Sequence, residues 1–431
     1  MNLTKQVLEH DVYLSLGCTE PTAVAFTASA AGKEADDEIR SISITVDPGV
    51  FKNGFAVMVP NTDGQCGNLI AGVLGALIAR PDLKMEILKE ANSESAAKAK
   101  RMIDENSAVL SCDHSKNELY IEVRIETATG TVRAVTERQH TNLLLVEKNG
   151  TVVFRKAEDH DSRISIDYET VLKTMQIIDL VDLAENLDSA DYDYVKSGVE
   201  VNLAASRAGR ELRKVGHYLY ELVKKGYLLE DVFASTKILT ASATDARMAG
   251  MSCAVMSSGG SGNQGIVAIL VPWNVGNHLK VDEEKIVRSI ALSHLINSYI
   301  KCHTGHLSPI CGCAIAAGVG AAAAIVYQVA GKEMQKIGLA VNNLISDLGG
   351  MLCDGAKGGC ALKVVSSTES AIRSAFMALN DYGIASIEGF VGGTAEETIR
   401  NLSRISEIGM ARVDDTMIKI MAEKPHGVIC R

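Results

Sequence analysis

Five of the ten cysteines are concentrated in one stretch of the chain. Cys302, Cys311, Cys313, Cys353 and Cys360 lie within 59 residues, whereas the others are scattered. Three thiolates at one place could hold zinc or an iron–sulfur cluster, but the spacings C-x-C and C-x6-C do not match the paired motifs of structural zinc. A cluster held by three cysteines keeps one iron without a protein ligand, and that iron can act as a Lewis acid. The alternative is that these cysteines are small buried apolar residues.

Two histidines, His303 and His306, stand three residues apart just before the CGC motif. Imidazoles at this spacing could bind a metal or act as acid–base groups. The alternative is a helix carboxyl end with histidine in its last turn.

A glycine- and serine-rich segment, MSSGGSGNQG, covers residues 256–265. Such loops present backbone N–H groups and hydroxyls to an anion, here a carboxylate or a phosphate. The segment lacks the lysine of a P-loop and the spacing of a dinucleotide fingerprint. A flexible loop without a ligand is the alternative.

A compact polar segment, SLGCTEP, covers residues 15–21 and precedes an alanine-rich helix. Thr19 or Glu20 could cap this helix, and Glu20 could act as a base. Cys18 at a helix amino end is expected to have a lowered pKa and thiolate character. Simple helix capping is the alternative function of the segment.

The elements that position these residues fall into two regions. Residues 42–46 alternate between apolar and polar as a strand does, and residues 67–79 are typical of an apolar helix. Four strand-like runs at about 117–155, with turns at Gly130 and Asn149-Gly150, predict an antiparallel β-meander. We therefore predict an α+β protein, with an N-terminal α/β domain at 1–185 and a mostly all-helical domain at 186–431.

A helical hairpin is predicted between the two groups of clustered cysteines. Residues 314–330 and 333–348 form two apolar runs of similar length, each about 25 Å long as a helix, separated by Gly331-Lys332. Because the chain goes out and returns, Cys313 and Cys353 are expected at the same end of the hairpin.

Composition limits the function classes. The 431-residue chain has a net charge of −10 and only 4% aromatic residues, which disfavours nucleic acid as a partner. No apolar run reaches the roughly 20 residues that span a bilayer, and the amino terminus has no apolar signal region. We expect a cytoplasmic protein that binds no membrane and, by the general frequency of twofold oligomers, forms a homodimer.

Five segments together resemble the L-cysteine desulfidase family, whose bacterial members are serine dehydratase-like. They are SLGCTEPTAVA, DPGVFKNG at 47–54, MSSGGSGNQG, CHTGHLSPICGCAIAAGVGAAAA and GGMLCDGAKGGCALK, in this order over essentially the whole chain. The C-terminal half is also distantly similar to the α part of the iron–sulfur L-serine dehydratases, through Cys313 and Cys353-Asp354.

The resemblance implies a pyridoxal-independent β-elimination on a small amino-acid substrate. L-Cysteine would give pyruvate, ammonia and hydrogen sulfide, and L-serine would give pyruvate and ammonia. A [4Fe-4S] cluster would bind the substrate carboxylate and polarise the β-leaving group, while a base removes the α-proton. The loop at 257–265 would hold the carboxylate or orient the amino group.

The resemblance also implies cluster ligands, namely Cys313, Cys353 and Cys360, with Cys311 as the substitute if the register of CGC differs by two. Cys353 and Cys360 are closer together than their counterparts in the serine dehydratases, so Cys18 is an alternative third ligand and otherwise a catalytic thiol. The candidate catalytic residues are Cys18, Glu20, His303 and His306. The candidate substrate-binding residues are Ser15, Thr19, Asn53, Ser257, Ser258, Gly259, Ser261 and Asn263.

Two rival functions stay open at this point. One is a pyridoxal phosphate-dependent dehydratase, which requires a Schiff-base lysine that the sequence does not single out. The other is a non-catalytic iron–sulfur or zinc protein that senses redox state or binds a small molecule. Cys430, one residue from the end, could cap the open iron as a tail cysteine does in related enzymes, or be inert.

Overall fold

The computed structural model describes residues 2–62, 64–116, 118–156, 168–305 and 307–423. Its first part alternates helices and strands: α1 (Leu3–Asp11), β1 (Leu14–Leu16), α2 (Thr19–Lys33), β2 (Ile39–Val46), α3 (Pro48–Gly54), α4 (Asn68–Ile78), a 3-10 stretch (Pro81–Glu90), α5 (Ser93–Asp104), β3 (Ala108–Cys112), β4 (Tyr120–Thr127), β5 (Thr131–Glu137), β6 (Leu143–Lys148) and β7 (Thr151–Arg155).

The second part is almost entirely helical. It contains α6 (Tyr168–Thr174), α7 (Ile177–Glu185), α8 (Ser189–Gly209), α9 (Val215–Lys224), α10 (Val232–Met248), β8 (Ala254–Met256), α11 (Gly262–His278), α12 (Glu283–Thr304), α13 (Ala316–Ala330), α14 (Met334–Leu348), α15 (Cys360–Leu379), α16 (Ala395–Arg404), a π-helical turn (Ile405–Gly409) and α17 (Val413–Ala422). The predicted α+β class is confirmed.

Six strands form one sheet in the order β3-β2-β4-β5-β6-β7. Strands β4 to β7 pair consecutively and antiparallel, which confirms the predicted β-meander. Asn149 and Gly150 both have positive φ, 51° and 77°, as a tight turn between β6 and β7 requires. Alternation in β2 puts Ile42, Ile44 and Val46 on the buried face, so the predicted strand forms for the expected reason.

Helices α2 and α4 cover this sheet and pack against each other through small residues. A Cβ on Gly75 of α4 would lie 2.0 Å from the carbonyl oxygen of Ala25, and one on Gly32 of α2 would lie 2.2 Å from that of Ala76. The two backbones therefore touch directly. This contact fixes α2, whose amino end carries Cys18, Thr19 and Glu20.

The predicted helical hairpin forms as α13 and α14. Helix α13 is buried almost along its whole length, and its alanines and glycines let neighbouring backbones approach, as where a Cβ on Gly320 would meet the Ser293 carbonyl oxygen at 2.5 Å. Gly349 caps the return helix α14. The hairpin therefore brings residues just before α13 and just after α14 to one end.

Two hydrophobic cores divide the molecule. One lies between the sheet and α2 and α4, and the other unites α10 to α16 with α1, α6 and α7. Strand β1 pairs with β8, so a strand that sequence reasoning did not predict interrupts the helical half. The division of the chain at residue 185 stays a prediction. No helix in the described ranges is both long and apolar enough to cross a membrane.

Candidate active site

A cavity of about 80 Å³ lies where the sheet-containing and helical parts meet. Thiols from four segments line it: Cys18, Cys311, Cys313, Cys353 and Cys360. The predicted gathering of Cys313 and Cys353 at one end of the hairpin is therefore what the structure shows. Cys302 does not line this cavity.

A short antiparallel contact joins the loop before α13 to the loop after α14. The N–H of Cys311 donates to Met351 O at 2.8 Å, and the N–H of Cys353 donates to Pro309 O at 2.7 Å. These two hydrogen bonds hold the CGC motif beside Cys353.

The segment after Cys353 is fixed against α3. Gly355 has φ of 87°, and a Cβ there would lie 2.3 Å from Lys52 O, so this position requires glycine. The N–H of Ala356 donates to Asn53 O at 3.1 Å. Cys360 follows at the amino end of α15, with its Sγ 3.6 Å from Gly355 O.

Cys18 lines the cavity from the amino end of α2. It is the N-cap residue of α2 and packs with Cys360, Val57 and Met248 in a small buried cluster. Burial raises the pKa of the Cys18 thiol to about 12, although the nearby Arg247 guanidinium lowers it. The expectation of a lowered pKa was therefore wrong, because desolvation at 3% exposure outweighs the helix end.

The thiols of Cys311 and Cys313 form a hydrogen-bonded pair. A hydrogen bond from Cys313 lowers the pKa of Cys311, burial opposes this effect, and the ammonium of Lys363 supports it. The same hydrogen bond and burial raise the pKa of Cys313. Of the two thiols, Cys311 therefore carries a negative charge more readily.

In the described part of the chain, no three or more Cys, His, Asp or Glu side chains are grouped as a metal-ion site. The donor set nevertheless suits an iron–sulfur cluster chemically, because thiolates are its usual ligands. The ligands of a four-iron cluster also lie farther apart than the ligands of a single metal ion, so the absence of a single-ion site from the described residues does not argue against a cluster. Lys301 and Lys363 add positive charge at the same cavity, which favours thiolates and an anionic cluster.

The polar segment before α2 presents an oriented carboxylate. Glu20 is 8% exposed, and its Oε2 accepts from the Thr19 hydroxyl at 3.0 Å while its Oε1 accepts from Asn53 Nδ2 at 3.2 Å. All three residues line the cavity. Ser15, a predicted substrate-binding residue, does not line the cavity; it is fully buried, and its hydroxyl donates to Gly17 O.

Some residues of the glycine- and serine-rich segment line the cavity, and others are buried behind the cavity wall. Gly259, Ser261 and Asn263 line the cavity, whereas Ser257 and Ser258 have no exposed surface. The structure therefore does not bring these two predicted substrate-binding serines to the cavity wall.

Both serines instead hold the loop in place. Ser257 Oγ accepts from the N–H of Tyr13 at 2.8 Å. Ser258 Oγ accepts from Asn297 Nδ2 at 2.9 Å and forms a second hydrogen bond with His294 Nδ1 at 2.8 Å. Burial lowers the pKa of His294 to about 3, so the imidazole beside Ser258 is neutral.

The structure does not place His303 at the cavity. Its ring packs edge-on against Tyr299, with centroids 4.8 Å apart, in the last turn of α12. Burial lowers the pKa of His303, and nearby Lys173 and Arg400 lower it further. His306 and Cys430 lie outside the described residues.

Several cavity residues were missed by sequence reasoning. Arg247 lies in the last turn of α10, Lys301 lies near the end of α12, and Gln264 lies in the first turn of α11. Arg247 and Lys301 are only 2% exposed, and burial lowers the pKa of Lys301. Lys301 Nζ donates to Gly305 O at 2.5 Å. For Lys301, the available signal was a single lysine in the mostly apolar stretch of α12 that follows Arg288.

Comparison with known proteins agrees with this architecture. The model of the serine dehydratase alpha chain matches residues 82–419. Proteins described as UPF0597 proteins are similar over nearly the whole chain: one from Geobacter sulfurreducens is 58% identical over 98% of this chain and 99% of its own length, and one from Elusimicrobium minutum is 52% identical over 98% and 100%. One from Clostridium tetani is 38% identical over 97% and 98%. No solved structure matches.

The match covers both loops that carry the clustered cysteines and the glycine- and serine-rich segment. The chain therefore belongs to the serine dehydratase alpha chain family. It shares full-length similarity with the UPF0597 proteins, so the region that precedes residue 82 is common to them as well.

Proposed function

We propose that this protein catalyses a pyridoxal-independent β-elimination on L-cysteine, with L-serine as a second substrate of the same site. The observation that carries the proposal is the cavity in which several thiols and the oriented Glu20 carboxylate meet, in a chain of the serine dehydratase alpha family. Membership supports a lyase of the dehydratase type. The choice of L-cysteine rests on the five segments that resemble the desulfidases.

The cofactor we propose is a [4Fe-4S] cluster held by Cys313, Cys353 and Cys360, with Cys311 or Cys18 as the alternative ligand. When bound, such a cluster supplies a Lewis acid at the iron that has no protein ligand. The chain's own contribution is to gather these thiols and to surround them with cations, as Lys301 and Lys363 do here.

Glu20 is our candidate for the base. Its two oxygens are held by Thr19 and Asn53, so the carboxylate is oriented before substrate enters. In the proposed reaction it takes the α-proton, the Cα–H electron pair forms the Cα–Cβ double bond, and the β-substituent leaves with its bonding pair. The resulting enamine tautomerises and is hydrolysed by water to pyruvate and ammonia.

Iron content and product release test the cofactor. Protein reconstituted without oxygen is expected to bind about four irons per chain and to be brown, whereas a pyridoxal enzyme would be yellow and a zinc protein colourless. Cys353→Ala is expected to lose iron and sulfide release together. Cys112→Ala, in β3 and away from the cavity, is the matched control and should keep both. Wild-type iron content in Cys353→Ala would remove this ligand from the proposal.

A second pair of variants tests the base. Glu20→Gln is expected to lower kcat for L-cysteine about 100-fold or more with unchanged iron content, because general bases contribute on this order. Glu94→Gln is the control, since Glu94 also lies in the first turn of a helix but is exposed in α5. The N-cap residue of α2 is Cys18, and no side-chain hydrogen bond from the described residues caps the helix, so the expected capping by Thr19 or Glu20 is not found. Pyruvate formation near the wild-type rate in Glu20→Gln would exclude Glu20 as the base.

A further inference from the structure

A buried guanidinium in the cavity wall has donors without acceptors. Arg247 is 2% exposed, and its Nη1 donates to Asn263 Oδ1 at 3.1 Å. Its Nε and Nη2 have no oxygen or nitrogen acceptor among the residues that the structure describes, although the guanidinium lies beside the Cys18 thiol and lowers its pKa. The ion pairs found in the same residues do not include Arg247 either. Its charge is therefore not compensated by a carboxylate of this part of the chain.

The guanidinium lies against the amino end of α11. A Cβ on Gly262, the first residue of this helix, would be 2.4 Å from Arg247 Nε and 2.8 Å from its Cζ. The N-cap residue Ser261 makes no side-chain capping hydrogen bond. The first N–H groups of a helix have no partner within it, and the helix dipole makes this end positive. Helix α11 has 17 residues, so a full dipole acts here.

Two positive features thus meet at one wall of the cavity. A buried charge is costly unless it is paired and hydrogen-bonded, which implies that an anion completes the arrangement. Arginine's planar fork fits the two oxygens of a carboxylate, and helix amino ends bind the same groups. The one carboxylate described in the wall close to this region, Glu20, is already hydrogen-bonded to Thr19 and Asn53.

We propose that Arg247, together with the amino end of α11, binds the α-carboxylate of the substrate. The identification of the ligand as an α-amino acid rests on the proposed function, whereas the existence of a carboxylate site does not. Asn263 is a positioning residue, because its Oδ1 holds Nη1 and leaves Nε and Nη2 for the ligand. The site then takes free α-carboxylates and discriminates against amides and esters of the same amino acids.

Binding of a substrate analogue that cannot react tests this assignment. L-Alanine has no β-leaving group, so its affinity can be measured by anaerobic calorimetry on the cluster-loaded protein. We expect L-alanine to bind at least ~10-fold more tightly than L-alaninamide, the range expected for charge-assisted hydrogen bonds. Arg247→Gln should lose this preference, and Arg247→Lys should keep part of it, because lysine retains the charge but not the fork.

The control is Arg101→Gln, since Arg101 also lies in the last turn of a helix but is exposed in α5. It should bind L-alanine like the wild type. Iron content and the thermal midpoint of each variant check that it is folded. In turnover assays, Arg247→Gln should raise KM for L-cysteine at least ~10-fold. The effect on kcat should be smaller, because the carboxylate keeps the same contact in the bound substrate and in the transition state.

The outcomes separate the two proposals. Equal binding of L-alanine and L-alaninamide by the wild type would overturn the carboxylate site, and so would wild-type affinity in Arg247→Gln. Tighter binding of inorganic phosphate than of L-alanine would also overturn it, because the site would then serve phosphate. If L-alanine binds in an Arg247-dependent manner but neither L-cysteine nor L-serine is converted to pyruvate, the carboxylate site stands and the proposed reaction fails.

Discussion

A single methyl group added at the contact between α2 and α4 should destabilise the protein measurably. In Gly75→Ala, the new Cβ would lie 2.0 Å from Ala25 O and 2.6 Å from Ala25 Cα, both of which are backbone atoms. The helices must separate locally, and overpacking of this kind costs up to about 3 kcal/mol. Because alanine is the better helix former by about 1 kcal/mol, the net loss in free energy of unfolding should be about 2 kcal/mol.

Gly338→Ala provides a matched control in the helical half. Gly338 lies inside α14, and a Cβ there would have no neighbour within 4 Å. The same substitution should therefore stabilise the protein by up to about 1 kcal/mol, through helix propensity alone. The two variants should then differ by about 3 kcal/mol, although each adds one methyl group.

Urea unfolding followed by far-UV circular dichroism, under reducing conditions without oxygen, measures both changes. The slope of free energy against urea should be the same in both variants, because neither alters the surface exposed on unfolding. A difference below about 0.5 kcal/mol between the variants would refute the direct backbone contact of α2 and α4. Since α2 carries Cys18 and Glu20 at its amino end, Gly75→Ala should also lower catalytic activity in the same preparation.

Two further predictions concern buried charges. Burial raises the pKa of Asp245 to about 6 against the hydrogen bond from Gly216. The contribution of Asp245 to wild-type stability should therefore fall as pH rises from about 4, where the unfolded carboxyl ionises, to about 6. Asp245→Asn keeps the acceptor for the Gly216 N–H and should remove up to about 3 kcal/mol of this change in unfolding free energy with pH. Identical profiles of unfolding free energy against pH in the variant and the wild type would contradict the raised pKa. Lys52 has no exposed side-chain surface, and its ammonium pairs with the Asp414 carboxylate at 2.7 Å. Asp414→Asn should lower the free energy of unfolding by about 2 kcal/mol, because it leaves the buried ammonium without a counter-ion. Lys52→Met should cost less, because it leaves no buried charge. The opposite order in urea unfolding would contradict the role of Asp414 as counter-ion.

The parts of the fold that sequence could predict depend on local patterns. The β-meander follows from alternation and an Asn-Gly turn, and the helical hairpin follows from two apolar runs around Gly331. Simple geometry then placed Cys313 and Cys353 together. No distant contact was needed for these inferences, which is why they were accessible.

The parts that could not be predicted depend on contacts between distant segments. Ser258 carries the same hydroxyl as Ser261, but it turns inward because His294 and Asn297 of α12 bind it. A helix amino end alone would lower the pKa of Cys18, but burial raises it, and the burial comes from residues far along the chain such as Met248 and Cys360. Arg247 looks like an ordinary last-turn cation until the guanidinium is found without a carboxylate. For these residues, the sequence gives the chemistry but not the surroundings.

The pairing of β1 with β8 imposes an order on folding during synthesis. The hydrogen bond from the N–H of Tyr13 to Ser257 Oγ joins residues that are 244 positions apart. At roughly 5 to 20 residues per second, β1 waits about 10 to 50 s for its partner strand to be made. Cys18, four residues after β1 begins, is therefore a thiol on an unfinished chain for this interval, open to oxidation or to premature metal capture. Nascent chains with and without residues 254–256 should differ in how fast Cys18 reacts with a thiol-specific reagent.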